Sequence, residues 1–268
     1  MRKIQLASLD RKKDRKFISS LARGLSILEA FDQAHPRLGI ADLARKTGLS
    51  KSTIYRLIYT LRSLGYVIPG GQGNKYTLGP KVLRLGYAVL SSLDLREIAQ
   101  PYLLRLSHEV KETVNLAVLD EWKLVYVERF KTQQIVNINL HVGSRLELYN
   151  TAMGRVLAAF NSEEWLAQYL KYLEKIPEVE PYWRNKGEKL LKILEEVRRN
   201  DLAVNNQELT PGLRSIASPV RNREGKVVGA VNIAVSSSLY SLERLKEEMM
   251  PSLRNTTRSI SLALGFEA

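Results

Sequence analysis

The spacing of apolar positions changes along this chain, and the changes mark out its parts. From Lys51 to Gly65, residues Ile54, Leu57, Ile58, Leu61 and Leu64 recur at steps of three, one, three and three. That is one stripe at helical period. Ser50 can cap the first turn of this helix, and Gly65 stands where a helix-ending residue with positive φ is wanted. The opposite face carries Lys51, Ser52, Tyr55, Arg56 and Arg62, and no acidic residue occurs in the stretch. Just upstream, 41–46 reads as a short helix with Leu43 and Ala44 inward, and Gly48 turns the chain into the next one. Ile40 occupies the expected cap of that short helix, where Ser or Thr is preferred. Downstream, 66–68 and 75–78 read as strands around the glycine-rich loop 69–74. Helix, turn, helix and hairpin together are a winged helix-turn-helix.

The flanking periodicities extend the picture. Leu21, Leu25, Leu28 and Phe31 give a scaffold helix over 20–31, broken by His35-Pro36 and Gly39. Gly79-Pro80 punctuates the chain. Val82, Leu85, Val89 and Leu93 then form the stripe of a linker helix, whose apolar side favours a second subunit over its own C-terminal part. Beyond Asp94 helical and alternating patterns mix. Ile98, Tyr102, Leu106 and Val110 give a helix. Strands are expected at 114–118, 124–127, 135–140, 202–204, 215–220 and 227–235, helices at 153–173 and 186–199, and a last helix from Leu242 to Leu264. Hairpin-ordered strands with grouped helices predict an α+β fold. The expected parts are an arm (1–18), a winged helix (19–79), a linker helix (80–95) and a sensor domain with an antiparallel sheet (96–268).

Charge sharpens the first part. The 268 residues hold 41 Lys+Arg against 28 Asp+Glu, a net charge of +13. Residues 1–80 contribute 15 Lys/Arg and 5 Asp/Glu, a net of +10; the remainder holds 26 and 23, a net of +3. A polyanion is therefore expected at the N-terminal part, and duplex DNA is the natural partner of a basic helix-turn-helix. Ser50, Lys51, Ser52, Thr53, Tyr55 and Arg56 are the candidate groove-facing residues, with Arg56 placed for a bidentate contact to guanine. Lys75 could reach a phosphate from the wing. A solvated surface helix would share this composition, and the basic arm could equally be a solvated tail.

Other chemistry is sparse. There is no cysteine, which removes disulfides, thiolate metal sites and thiol catalysis and fits a reducing cytoplasm. No apolar run reaches the ~20 residues of a membrane span, and no signal peptide is expected. His35, His108 and His141 are scattered without ligand spacing, and no Gly-x-Ser-x-Gly elbow occurs. No enzyme, cofactor or metal is expected. The glycines of 69–74 open a strand rather than a helix, so they are not a phosphate-binding loop.

Four segments in this order resemble the IclR family of bacterial transcriptional regulators. They are Leu21-Ala22-Arg23-Gly24-Leu25-Ser26-Ile27-Leu28, the run from Thr47 to Leu57, Thr151-Ala152-Met153-Gly154-Arg155-Val156-Leu157, and the run from Asn206 to Val220. The resemblance implies a winged helix, a linker helix, a GAF-like effector domain, and homodimers that often pair into tetramers. The 142–146 and 149–155 segments, with 207–217, are similar to the branch that regulates aromatic-acid catabolism through protocatechuate and β-ketoadipate; Pro211 instead matches the family at large. The resemblance implies a small carboxylate effector held by the N–H groups of Ala152, Met153 and Gly154. A helix start is in itself an anion site. Family pocket positions fall on Asn205, Leu213, Ser215, Asn232 and Ala234. Asn205 replaces a frequent acid and Asn232 a frequent hydroxyl, so the effector's polar pattern should differ. Arg145 is the candidate cation, or else a structural ion-pair partner, and Leu146 a candidate wall. The implied role is a repressor or activator of a catabolic operon. The alternative is a winged-helix protein whose GAF-like domain serves interaction or catalysis without DNA.

Overall fold

The computed structural model describes residues 16–32, 34–71, 73–91, 94–131, 140–176, 179 and 187–267. The chain forms two compact units, Met1–Val89 and Leu90–Ala268.

The first unit holds α1 (Ser19–Glu29), β1 (Leu38–Gly39), α2 (Ile40–Thr47), α3 (Lys51–Ser63), β2 (Val67–Pro69), β3 (Lys75–Leu78) and most of α4 (Lys81–Ser91). Its core is Ile27, Leu38, Leu43, Ile54, Ile58, Leu61 and Val67. The α3 stripe therefore buries Ile54, Ile58 and Leu61 as its period requires, whereas Leu64 at the end is exposed. Ser50 caps α3 by accepting the Thr53 N–H at 3.2 Å, and Gly65 has φ 77°. The hairpin gains a third strand that the sequence reading lacked. β1 pairs with β3 through Leu38 and Gly39, giving the order β1-β3-β2.

Two local expectations are corrected here. The cap of α2 is Gly39 rather than Ile40, and its N–H is satisfied by Asp42 Oδ2 at 3.1 Å. Asp42 thus satisfies the cap residue's own N–H, the acid half of a capping box, while Gly39 offers no side-chain acceptor to the first turn. The scaffold helix forms, but it buries Ser26 and Ile27 while Leu21 and Leu25 stay 60% and 50% exposed. Lys46 ties the end of α1 to α2, with Nζ 2.9 Å from the Ala30 carbonyl and 2.6 Å from Asp32 Oδ2.

The second unit holds α5 (Asp94–Val110), β4 (Thr113–Asp120), β5 (Lys123–Phe130), β6 (Arg145–Glu147), α6 (Ala152–Ala159), α7 (Glu163–Glu174), α8 (Gly187–Asn200), β7 (Ala203–Asn206), β8 (Leu213–Arg221), β9 (Val227–Ser236) and α9 (Leu242–Ala263). Six antiparallel strands run in the order β6-β5-β4-β9-β8-β7. One face, carrying Ala117, Leu124, Tyr126, Ala203, Ala217 and Ala230, packs under α6, α7 and α8. The small alanines let α6, which is buried along its whole length, lie close to the sheet. The other face, with Val114, Leu116, Val127, Ile216 and Ile233, packs on α5 and α9.

The expected helix 153–173 is two helices. The chain leaves helix at Phe160, and Ser162 caps α7 by accepting the Trp165 N–H at 3.2 Å. The strand expected at 135–140 falls on residues outside those described, apart from Leu140. Arg145 and Leu146, read as loop, sit on edge strand β6 and pair with Val125 and Leu124.

The register of β5 is what places the site. Asn115 pairs with Arg129 and Leu116 with Glu128, but Ala117 pairs with Tyr126. Val127 is thus an extra residue, a β-bulge. Past a bulge the side chains swap faces. Tyr126 and Arg129, three apart, therefore share the α6 face, while Val127 belongs to the opposite core.

Candidate functional site

The face of α3 away from the core is exposed at Lys51, Ser52, Tyr55, Arg56, Tyr59 and Arg62, with Thr53 half-buried. The expected DNA-facing residues thus lie on one side of one helix. The Ser50 hydroxyl lies 3.0 Å from that of Ser52 and 2.9 Å from that of Thr53. Ser50 takes the cap bond and the Ser52 and Thr53 hydroxyls both contact it, while Lys51, Tyr55 and Arg56 are exposed on the outer face. Tyr55 and Arg56 also line a groove with Ser20 and Arg23 of α1 and with Tyr59 and Thr60. Arg23 and Tyr59 were missed in the sequence, Arg23 because it lies on another helix. Lys75 is exposed at the start of β3. An exposed, acid-free helix after a tight turn, followed by a basic wing, is the geometry of a major-groove reader.

The second site is a cavity of about 20 Å³ between the sheet and the start of α6, room for about one water molecule. It is lined by Ala152 and Met153 of α6, Asn205 of β7, Leu213 and Ser215 of β8, and Asn232 and Ala234 of β9. Seven of the ten expected effector residues meet here. Register explains it: Asn205 pairs with Ser215, Ser215 with Ala234, and Asn115 with Asn232. Antiparallel partners share a face, so polar residues far apart in sequence form rows across three strands.

The other three expected residues are placed differently. The Arg145 guanidinium is 2.7 Å from Asp120 Oδ2 and about half exposed. Leu146 packs against the neighbouring core. The Gly154 N–H donates to the Thr151 hydroxyl at 3.2 Å, so it is already used by its own cap. An added Cβ at Gly154 would lie 2.4 Å from the Leu148 Cα, and that close approach is the position's need for glycine. The N–H groups of Ala152 and Met153 are in the first turn, where no intrahelical acceptor exists.

Residues not expected also line the cavity: Asn115, Tyr126, Arg129, Leu140, Thr151 and Leu209. Burial pushes the Tyr126 phenol up to about 12, against the pull of the neighbouring Arg129 charge. Burial also lowers the pKa of Arg129. A buried network backs the far side. Arg155 Nε donates to the Tyr149 carbonyl at 3.0 Å and Nη1 to the Val204 carbonyl at 2.7 Å. Its Nη2 lies 2.6 Å from Glu208 Oε2, which accepts from Asn205 Nδ2 at 3.1 Å. Among the described residues no cluster of His, Asp and Glu could hold a metal ion.

A basic winged helix joined to an antiparallel-sheet domain defines a DNA-binding transcription regulator with a separate C-terminal domain. Residues 20–68 match the IclR helix-turn-helix domain and residues 87–262 the bacterial transcriptional regulator IclR C-terminal domain. The chain belongs to the IclR family of bacterial transcriptional regulators. It is 35% identical over 248 residues to the Pca regulon regulatory protein of Pseudomonas putida, covering 92% of this chain and 84% of that one. An IclR family transcriptional regulator from Brucella abortus superposes with TM-score 0.80 at 30% identity, over 96% of this chain and 97% of that one. An IclR homolog from Microbacterium hydrocarbonoxydans, complexed with 4-hydroxybenzoate, superposes with TM-score 0.78 at 25% identity, over 91% and 98%. The expected family and fold are borne out, as is the link to the Pca regulators. The protein is a DNA-binding transcription regulator and not an enzyme, so the reading as a catalytic module falls.

Proposed function

We propose that this chain is a ligand-responsive regulator of a catabolic operon, switched by a small organic carboxylate that occupies the C-terminal cavity. The observation that carries this reading is the convergence of the α6 start, at Ala152 and Met153, with the polar side chains of Asn205, Ser215 and Asn232 around one recess. Two N–H groups of a helix start favour an anion, and neighbouring amides can orient its remaining polar atoms. The Pca relative and the 4-hydroxybenzoate complex support an acid of aromatic-compound degradation. The free space among the described lining residues is about 20 Å³, so an acid of that size needs the lining to give way.

In this reading the protein acts in the cytoplasm, on an operator read by a homodimer whose dimers pair. Ile18, Leu21 and Leu25 on and beside α1, and Leu83 and Leu85 on α4, remain exposed. These apolar faces are what a second subunit would cover. Two-fold symmetry suits a palindromic operator. No helix of the described residues is long and apolar enough to cross a membrane.

A thermal-shift screen of carboxylic acids, with neutral and cationic compounds as controls, tests the effector reading. A ligand that prefers the folded state raises the melting temperature with concentration. Stabilisation by an acid is expected; stabilisation only by neutral or cationic compounds would overturn the reading. Dicarboxylates acting alone would select a β-ketoadipate-like effector over an aromatic monoacid.

A further inference from the structure

Among the described residues, two polar groups at the cavity lack the partners their burial demands. The first is Arg129. Its Nη1 donates to Asn115 Oδ1 at 2.9 Å, and Asn115 Nδ2 in turn donates to Asn232 Oδ1 at 2.7 Å. Among the described residues its buried Nε has no hydrogen-bond partner. No carboxylate among the described residues lies within ion-pair distance of it; the adjacent Glu128 faces the other side of the sheet, against Arg96 at 3.0 Å. A cation at a half-buried site without a counter-charge is costly unless an anion arrives. The second is Asn205, which is 1% exposed. Its Nδ2 is fixed between two acceptors, the Asn150 carbonyl at 2.6 Å and Glu208 Oε2 at 3.1 Å. Flipping the amide would set oxygen against both, so the assignment of Oδ1 is secure. That Oδ1 has no donor among the described residues.

From this pair we infer that the cavity selects a hydroxycarboxylic acid, with Arg129 binding its carboxylate and Asn205 Oδ1 accepting from its hydroxyl. The inference rests on the effector reading of this cavity and refines it: the carboxylate goes to Arg129, and the α6 N–H groups then face the ligand's remaining polar atoms. An arginine forks onto a carboxylate, and Asn115 holds the guanidinium in place from the next strand. The amide at Asn205 accepts where a protonated donor must be supplied. A ligand without the hydroxyl leaves Oδ1 buried and unpaired, which is the basis of strong discrimination. Arg145 has no such part, because Asp120 already neutralises it.

The test is a calorimetric and thermal-shift comparison on the full chain with matched probes. These are 4-hydroxybenzoate, benzoate and 4-hydroxybenzamide, then 6-hydroxyhexanoate and hexanoate as a flexible pair. In at least one scaffold the hydroxy acid is expected to bind about tenfold to a hundredfold more tightly than its deoxy partner, and the neutral amide to bind far more weakly. Arg129→Gln is expected to weaken the hydroxy acid about a hundredfold or more and to leave the unliganded melting temperature unchanged or raised, since it removes an uncompensated charge. Arg129→Lys, which keeps charge without the fork, is expected to retain part of the affinity. Hydroxy and deoxy acids binding alike would overturn the role of Asn205. Full affinity in Arg129→Gln would overturn the role of Arg129 while the carboxylate reading stood. Were Arg129→Gln not to fold, the acid-against-amide ratio in the unaltered protein decides: equal binding overturns the charge recognition. If no acid of either scaffold binds, the carboxylate reading itself fails, and this inference with it.

Discussion

Arg155 Nη2 lies 2.6 Å from Glu208 Oε2, and the arginine side chain is only 4% exposed. Helix α6 thereby reaches past its own packing face to hold the loop after β7. The same Glu208 oxygen accepts from Asn205, so the ion pair also fixes a cavity residue. Burial lowers the Arg155 pKa, and Glu208 raises it in opposition.

Removing Glu208 should leave that cation buried. Glu208→Ala is expected to destabilise the second unit toward the lower end of the ~3–5 kcal/mol typical of a broken buried pair, because Glu208 itself is partly exposed. The urea midpoint reads this. The substitution should also weaken acid binding by releasing Asn205. A change under about 0.5 kcal/mol, as for an ordinary surface site, would show that the pair holds nothing in place.

At the DNA face, Arg56→Ala is expected to cost ~1–3 kcal/mol on the operator and to relax preference at one base pair. Lys75→Ala should instead weaken all sequences alike and flatten the salt dependence. Anisotropy titrations against operator and scrambled duplexes separate the two. Unchanged affinities of Arg56→Ala for both duplexes would remove α3 from the groove.

Asp32 links stability of the winged helix to acid. Burial raises its pKa, but hydrogen bonds from Lys46 and His35 outweigh it and bring the carboxyl down to about 2 from 3.8. A depressed folded-state pKa means stability that is present above pH ~4 and lost as pH falls toward ~2. The carboxyl is half exposed, so solvent screening keeps this contribution modest. Amide-exchange protection of Ile27 and Ile54 should fall across that window, and Asp32→Asn should flatten the fall. An equal fall in Asp32→Asn would place the acid sensitivity elsewhere.

The helix-turn-helix was legible because local signals agreed: the 3.6-residue stripe, Ser50 at the cap, and Gly48 and Gly65 at the turns. The cavity was legible only in part. Ala152 and Met153, like Asn205, Leu213, Ser215, Asn232 and Ala234, were reached through the family resemblance and not from spacing or alternation. Asn205, Ser215 and Asn232 come together only through strand register, which a single chain's alternation does not reveal. Arg129 was hidden by the bulge at Val127. Strict alternation from Leu124 and Tyr126 puts Arg129 on the wrong face, and one extra residue reverses it. Arg145 drew notice because it is a cation in the loop-like 142–146 segment, yet its strand pairing with Val125 brings it to Asp120.

The most direct measurement is the affinity of the protein for DNA from its own promoter region, with and without a saturating concentration of an acid that raises its melting temperature. The account expects binding that weakens steeply with salt and that shifts by about 5–150-fold on adding the acid, in one direction at every salt concentration. Equal affinity in the presence and absence of a bound acid would contradict it, since a ligand that favours neither state moves no equilibrium.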